Sequence, residues 1–197
     1  MTNLNKSLIL TTMSLLSLPA FGATYQVDPG HTKVGFEVPH LVISTVEGRF
    51  NKFSGQVDLD EKKFENSKFG MKVDVASVDT GVAKRDDHLR ADDFFAAKKY
   101  PEMKFESTEV KGKPESFQLT GNLTIRGVTK KVTFDAKYLG NVNDGFGNDR
   151  AAFQAKTKIN RKDFGLSFAS MMEKGPVVGD EVVIDLKVEA TKPLEKR

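Results

Sequence analysis

The sequence predicts an all-β fold, an extended eight-stranded antiparallel barrel with one helical insertion. Three observations lead there. Apolar and polar residues alternate with period two through most of the chain. Eight such runs succeed one another, each followed by a turn signal. One stretch, residues 82–99, breaks the alternation and carries the densest charge.

In the first run, "HTKVGFEVPHL", Thr32, Val34, Phe36, Val38 and His40 share one face, and Lys33, Gly35 and Glu37 the other. Pro39 marks a strand end or an edge. "STVEGRFNKFSGQVDLD" places Val46, Gly48 and Phe50 together, then slips by one residue to continue with Phe53, Gly55, Val57 and Leu59. A slip beside glycine predicts a β-bulge bending one strand around a barrel corner. "KFGMKVDVASV" contributes Phe69, Met71, Val73 and Val75, and "MKFESTEV" contributes Met103, Phe105 and Ser107. "SFQLTGNLTI" contributes Phe117, Leu119, Gly121, Leu123 and Ile125. "KVTFDAKYLG" contributes Val132, Phe134, Ala136 and Tyr138. "AAFQAKTKI" and "EVVIDLKVEA" finish the set with Ala151, Phe153, Ala155, Thr157 and Ile159, then Val182, Ile184, Leu186 and Val188. "RGVTKK" is a tight hairpin, and "NVNDGFGND" a longer Gly/Asn/Asp loop. "LSFASMMEKGPVVG", residues 166–179, reads as a loop with some core anchoring. Residues 82–99 are the one helical stretch, stopped by Pro101.

One apolar and one polar face on successive strands describe an antiparallel sheet wet on one side. Left open, such a sheet keeps two edges and buries its apolar face poorly; closure removes both problems. Eight strands enclose an interior that either fills with side chains or holds one small apolar ligand. The apolar face mixes bulky Phe with Gly48, Gly55, Gly121, Ala136, Ala151 and Ala155. That mixture fits a packed taper and an open slot equally well.

Composition narrows the function. Fifteen Phe with three Tyr and no Trp supply apolar surface with few polar atoms to satisfy. The absence of Cys excludes thiol chemistry and leaves stability to the core alone. A net charge of +3 with no Lys/Arg block excludes a nucleic-acid surface. Residues 1–23 have the plan of a signal peptide: Lys6, an apolar run from Ser7 to Leu18, then small residues around Ala20 and Ala23. The run is short for a bilayer span. The expectation is a cleaved leader and a single domain, 24–197, working outside the cytoplasm in a bacterial periplasm.

The stretch "AKRDDHLRADDFFAAKKYP", residues 83–101, invites three functional readings. As catalysis, His88 would be a base oriented by Asp86, but no nucleophile motif accompanies it. As a metal site, His31, His40 and His88 would have to converge, and their spacing fits no ligand pattern, so no metal is assigned. As a polar rim, Arg85, Arg90 and His88, with His31 or His40, would meet the head of an amphiphile; Arg suits planar anionic groups because it donates in pairs. Beside all three stands the plainer reading, Arg–Asp pairs that tie the helix to the barrel.

Six segments carry a resemblance: "YQVDPGHTKVGFEVPHL", "VEGRFNKFSGQVDLDE", "SVDTGVAKRDDHLRADDFFAAKKYPEMKFEST", "LTGNLTIRGVTKKVTFDAKYLG", "GNDRAAFQAKTKINRKDFGL" and "VGDEVVIDLKVEA". Together they resemble the YceI-like family of periplasmic, lipocalin-like polyisoprenoid-binding proteins. "RDDHLRADDFF…KYP" and "LTGNLTIRGVTK" are the most specific parts. The resemblance implies an eight-stranded antiparallel lipocalin-like barrel whose elongated apolar channel holds a long isoprenoid or similar lipid, a polyprenyl chain or a quinone. It places the charged stretch at the mouth, or as a brace for it, and supplies no catalytic residue. Alternation then nominates Phe36, Val38, Phe50, Phe53, Met71, Val73, Phe105, Leu123, Phe134, Phe153 and Ile184 for the lipid tail. His40, Arg85 and His88 are nominated for its head. No other cofactor is expected. The expected partners are that lipid, a membrane only in passing, and a second copy of the chain as a candidate. Two other readings stand: a hydrolase or transferase acting on a prenyl lipid at Arg85, Asp86 and His88, and a packed, dry barrel with a stress-protective interaction role.

Overall fold

The structure, a computed structural model, describes residues 22–169, 171–172 and 175–194. The expected leader therefore lies outside the described residues except for Gly22 and Ala23. Its last residue, Ala23, opens the first strand and pairs with Leu59.

The strands are β1 (Ala23–Val27), β2 (Lys33–His40), β3 (Ser44–Phe50), β4 (Phe53–Leu59), β5 (Lys68–Asp74) and β6 (Val78–Asp79). After helix α1 (Ala83–Arg90) come β7 (Glu102–Lys113), β8 (Ser116–Ile125), β9 (Val128–Asn143) and β10 (Asn148–Asn160). β11 (Met171–Met172) and β12 (Gly175–Pro176) make a separate small hairpin, and β13 (Glu181–Pro193) completes the wall. β1, β4, β5, β7, β8, β9, β10 and β13 pair in that order, and β13 pairs back to β1. The result is the closed eight-stranded antiparallel barrel that the alternation predicts. β2, β3 and β6 extend the wall at one end, each continuing the line of β1, β4 or β5.

The slip within 46–59 is therefore not a bulge. β3 pairs with β2 and β6, whereas β4 pairs with β1 and β5. Asn51 and Lys52 leave the ladder between them, beside a matching break between β5 and β6. The two breaks satisfy each other's backbone groups, as buried or half-buried peptide groups require. The Asn51 amide donates to the Ser77 carbonyl at 3.1 Å, and the Asp74 amide to the Lys52 carbonyl at 2.9 Å. The slip restores the inward phase, so Phe50 before it and Val57 and Leu59 after it are all buried. A true register shift lies in β7, between Ser107 and Glu109. β1 was not foreseen, although Tyr25 and Val27 alternate into the core and Tyr25 is completely buried.

The helix is also shorter than its expected span of 82–99. It ends at Arg90, Ala91 is extended, and Ala96 takes a φ of 50°. Residues 91–99 form successive turns, with the Ala96 amide on the Ala91 carbonyl at 2.9 Å and the Ala97 amide on the Arg90 carbonyl at 3.0 Å. The sequence AKRDDHLR offers the interior little besides Leu89. Turning, rather than continuing, brings Phe94, Ala96 and Ala97 into buried positions together.

At the opposite end, Arg150 draws three segments onto the wall. Its Nη1 donates to Asp28 at 2.8 Å and to Glu189 at 3.4 Å, and its Nε to Asp144 at 3.1 Å. The turn after β1 and the turn after β9 are thereby tied to β13. Hydrogen bonds from Arg150 and His31 hold the Asp28 carboxyl down at about 2.

Candidate functional site

The barrel encloses an apolar cavity of about 210 Å³. At roughly 10–15 Å³ per water, that space is far larger than an ordinary packing defect. It runs from the wall around Val57, Phe117 and Phe153 to the segments that carry Leu89, Phe95 and Leu166. Every residue predicted for the tail lines it except Phe53. Phe53 opens β4 at the strand break and packs against the core cluster of Val73 and Val75 instead.

Two glycines shape the wall. A Cβ on Gly48 would overlap the ring of Phe36, its cross-strand partner. A Cβ on Gly121 would overlap the ring of Phe105. Each ring occupies the volume that a side chain on the facing strand would take. Phe36 continues into an aromatic row, 5.6 Å from Phe50, which is 5.8 Å from Phe95.

None of the three head candidates lines the cavity. His40 ends β2; its backbone bridges to Val178, and its carbonyl accepts from Ser44 Oγ at 3.1 Å. Arg85 gives Nε to Thr80 Oγ1 at 2.7 Å and Nη2 to the Thr80 carbonyl at 2.8 Å. His88 Nε2 pairs with Asp93 at 2.8 Å, with its ring edge-on to Phe94 and Phe168. Asp86 is buried and accepts from the amide and hydroxyl of Thr80 at 2.9 and 2.6 Å. Arg90 donates to the carbonyls of Ala76 at 2.8 Å and Val78 at 3.0 Å. Arg85, Asp86 and Arg90 are thus spent on residues 76–80 just before the helix, His88 is spent on Asp93 within the stretch, and what the stretch turns toward the cavity is Leu89, Phe94 and Phe95. His31 is held by Asp28 at 2.8 Å, apart from the other two histidines. Among the described residues, no group of His, Asp or Glu is arranged to hold a metal ion.

Sequence reasoning missed Arg161, which is buried and lines the cavity. Its Nε donates to the Gly179 carbonyl at 2.9 Å, its Nη1 to the Leu166 carbonyl at 2.7 Å, and its Nη2 to Asp180 at 3.0 Å. It clasps the segment after β10 to the start of β13, which seats Phe164 and Leu166 beneath it. Asn160 capping the Lys162 amide and Gly165 at a φ of 74° mark that compact turn, and both residues were readable in "NRKDFG".

The YceI-like domain family matches residues 25–190. A UPF0312 protein of Vibrio parahaemolyticus is 38% identical over 191 residues, 94% of this chain and 96% of its own length. Among solved structures, Burkholderia cenocepacia BcnA superposes with a TM-score of 0.73 at 30% identity, over 83% of this chain and 99% of that one. A polyisoprenoid-binding domain from Saccharophagus degradans superposes with a TM-score of 0.61 at 16% identity, over 86% of this chain and 98% of its own, a likeness of fold.

Proposed function

This chain belongs to the YceI-like family, and on that premise we propose that it is a binding protein for a long-chain isoprenoid, a polyprenyl lipid or quinone, working as a carrier in the periplasm. The observation that carries the reading is the apolar cavity enclosed by the barrel. Apolar cavities of this kind stay dry and take up apolar guests. The Saccharophagus neighbour, a polyisoprenoid-binding domain of the same fold, supports the ligand class. The leader-like residues 1–23 support the address. Binding is favoured over turnover because the donors of Arg85 and Arg90 and the acceptor of Asp86 are committed to Thr80, Ala76 and Val78.

Burial of one methylene is worth roughly 0.8 kcal/mol. A five-carbon prenyl unit then contributes on the order of 3 kcal/mol before ordering costs. A charged head-group hydrogen bond adds about 1.5–3 kcal/mol. Affinity should therefore climb with chain length until the cavity is full, and head chemistry should only tune it. Native mass spectrometry of gently purified protein tests the reading. A stoichiometric guest with an isoprenoid mass pattern is expected. A bare polypeptide that takes up neither prenyl alcohols nor quinones would refute it.

A further inference from the structure

The β2–β3 turn has a composition that its conformation disfavours. Leu41 and Val42 have φ of 52° and 67°, and the Ile43 amide donates to the His40 carbonyl at 3.3 Å. Two successive positive φ values make a type I′ turn, which calls for Asn, Asp or Gly. The β8–β9 hairpin meets that rule at its second position, with Gly127, and holds Arg126 at a φ of 51° in its first. The β2–β3 turn instead carries a β-branched Val where such a residue is a conformational outlier. The side chains it holds there are in water: Val42 is 65% exposed and Ile43 86%.

The neighbouring β11–β12 hairpin extends the same surface. The Leu41 amide donates to the Val177 carbonyl at 3.0 Å, and the Gly179 amide to the Pro39 carbonyl at 2.8 Å. Met171 on that hairpin is 72% exposed. In a chain that is 29% charged, the β2–β3 turn and its flanks, residues 38–46, contain no Asp, Glu, Lys or Arg, whereas Glu173 and Lys174 stand between β11 and β12. Val38, two residues before His40, and Val178, the bridge partner of His40, line the cavity. The apolar tip is therefore continuous with one end of the barrel interior.

We propose that this tip docks into the interfacial layer of a phospholipid bilayer and seats that end of the barrel against the membrane. Entry of residues 38–46 desolvates no Asp, Glu, Lys or Arg side chain, and the exposed Val42 and Ile43 supply the attraction. A protein partner would ordinarily be read by polar groups around an apolar centre; the β2–β3 turn is an exposed projection with no Asp, Glu, Lys or Arg from Val38 to Val46, which suits a deformable lipid phase. The proposal goes beyond the ligand reading and does not depend on which molecule fills the cavity.

Flotation of the full chain with vesicles of phosphatidylethanolamine and phosphatidylglycerol tests it, beside a Val42→Gly/Ile43→Ser variant. The leader-like segment is common to both proteins, so their difference reads the tip. The expected result is a vesicle partition lowered by about tenfold or more, a Tm unchanged or raised because glycine accepts the turn, and unchanged uptake of a soluble prenyl ligand. The tip-dependent part of the binding should also persist in high salt. Equal flotation of the two proteins would overturn the proposal. So would loss of self-association in the variant without any change in vesicle binding, which would assign the tip to a second copy of the chain.

Discussion

Phe36 and Phe134 are both inward-facing phenylalanines, and the structure gives them different work. Phe134 is 3% exposed and meets the ring of Phe105 edge-on at 5.2 Å. Phe36 is half-buried and lies over Gly48 on the cavity wall. Phe134→Ala should cost about 3–5 kcal/mol in urea unfolding. Phe36→Ala should cost clearly less stability and weaken lipid uptake more; equal losses in both assays would mean that the two rings pack one and the same core. Charge at the other end sets an acid limit. The Asp28 carboxyl lies at about 2, below the ordinary value of about 3.9. A depressed carboxyl contributes stability that is present above its unfolded value and is lost as pH falls through its folded one. Thermal melts should therefore lose Tm between about pH 4 and pH 2. Arg150→Met, which removes the larger cause of the depression, should flatten that limb. A slope identical to that of the parent would remove Arg150 from the account.

At the scale of elements, α1 is held by hydrogen bonds rather than by an apolar face. Asp86 receives two bonds from Thr80, and Arg85 and Arg90 reach the carbonyls of Thr80, Ala76 and Val78. Asp86→Ala strips both partners from a part-buried amide and hydroxyl and should cost about 1–3 kcal/mol. Hydrogen exchange should then speed up across residues 82–99 while the β7–β10 wall keeps its protection. Uniform protection in the variant would make the brace incidental. This segment also shows where sequence reading stops. Phe94, Phe95, Ala96 and Ala97 look like the apolar face of a longer helix, because backbone turning leaves no mark on composition. The brace was legible as Arg–Asp chemistry, but its principal acceptors are peptide carbonyls, and no residue letter announces those. β1 is short and abuts a leader-like run, so its alternation of Tyr25 and Val27 was hidden in plain view.

For the whole molecule, the closed eight-stranded wall was legible because period two is insensitive to where each strand begins or breaks. A slip read as a bulge and a slip that separates β3 from β4 place the same residues inward, so most of the cavity lining followed without the correct topology. Phe53 was the exception because it stands at the break itself. Whether the interior was full or hollow was not legible, since that depends on Phe36 facing Gly48 across one particular register. The ring's last closure has a kinetic meaning as well. Gln26 pairs with Thr191, joining the first strand to the last across nearly the entire chain. As the chain folds, β1 waits with one side unsatisfied until the last strand reaches it, so the finished ring can only be a late event. Every other neighbour in the ring can zip from an adjacent segment or a nearer one, but this seam demands the most distant encounter that the barrel contains. Its formation belongs with the slow, millisecond-to-second assembly of non-local β topologies, and a chain lacking only β13 would leave β1, β2 and β10 each with an unpaired edge.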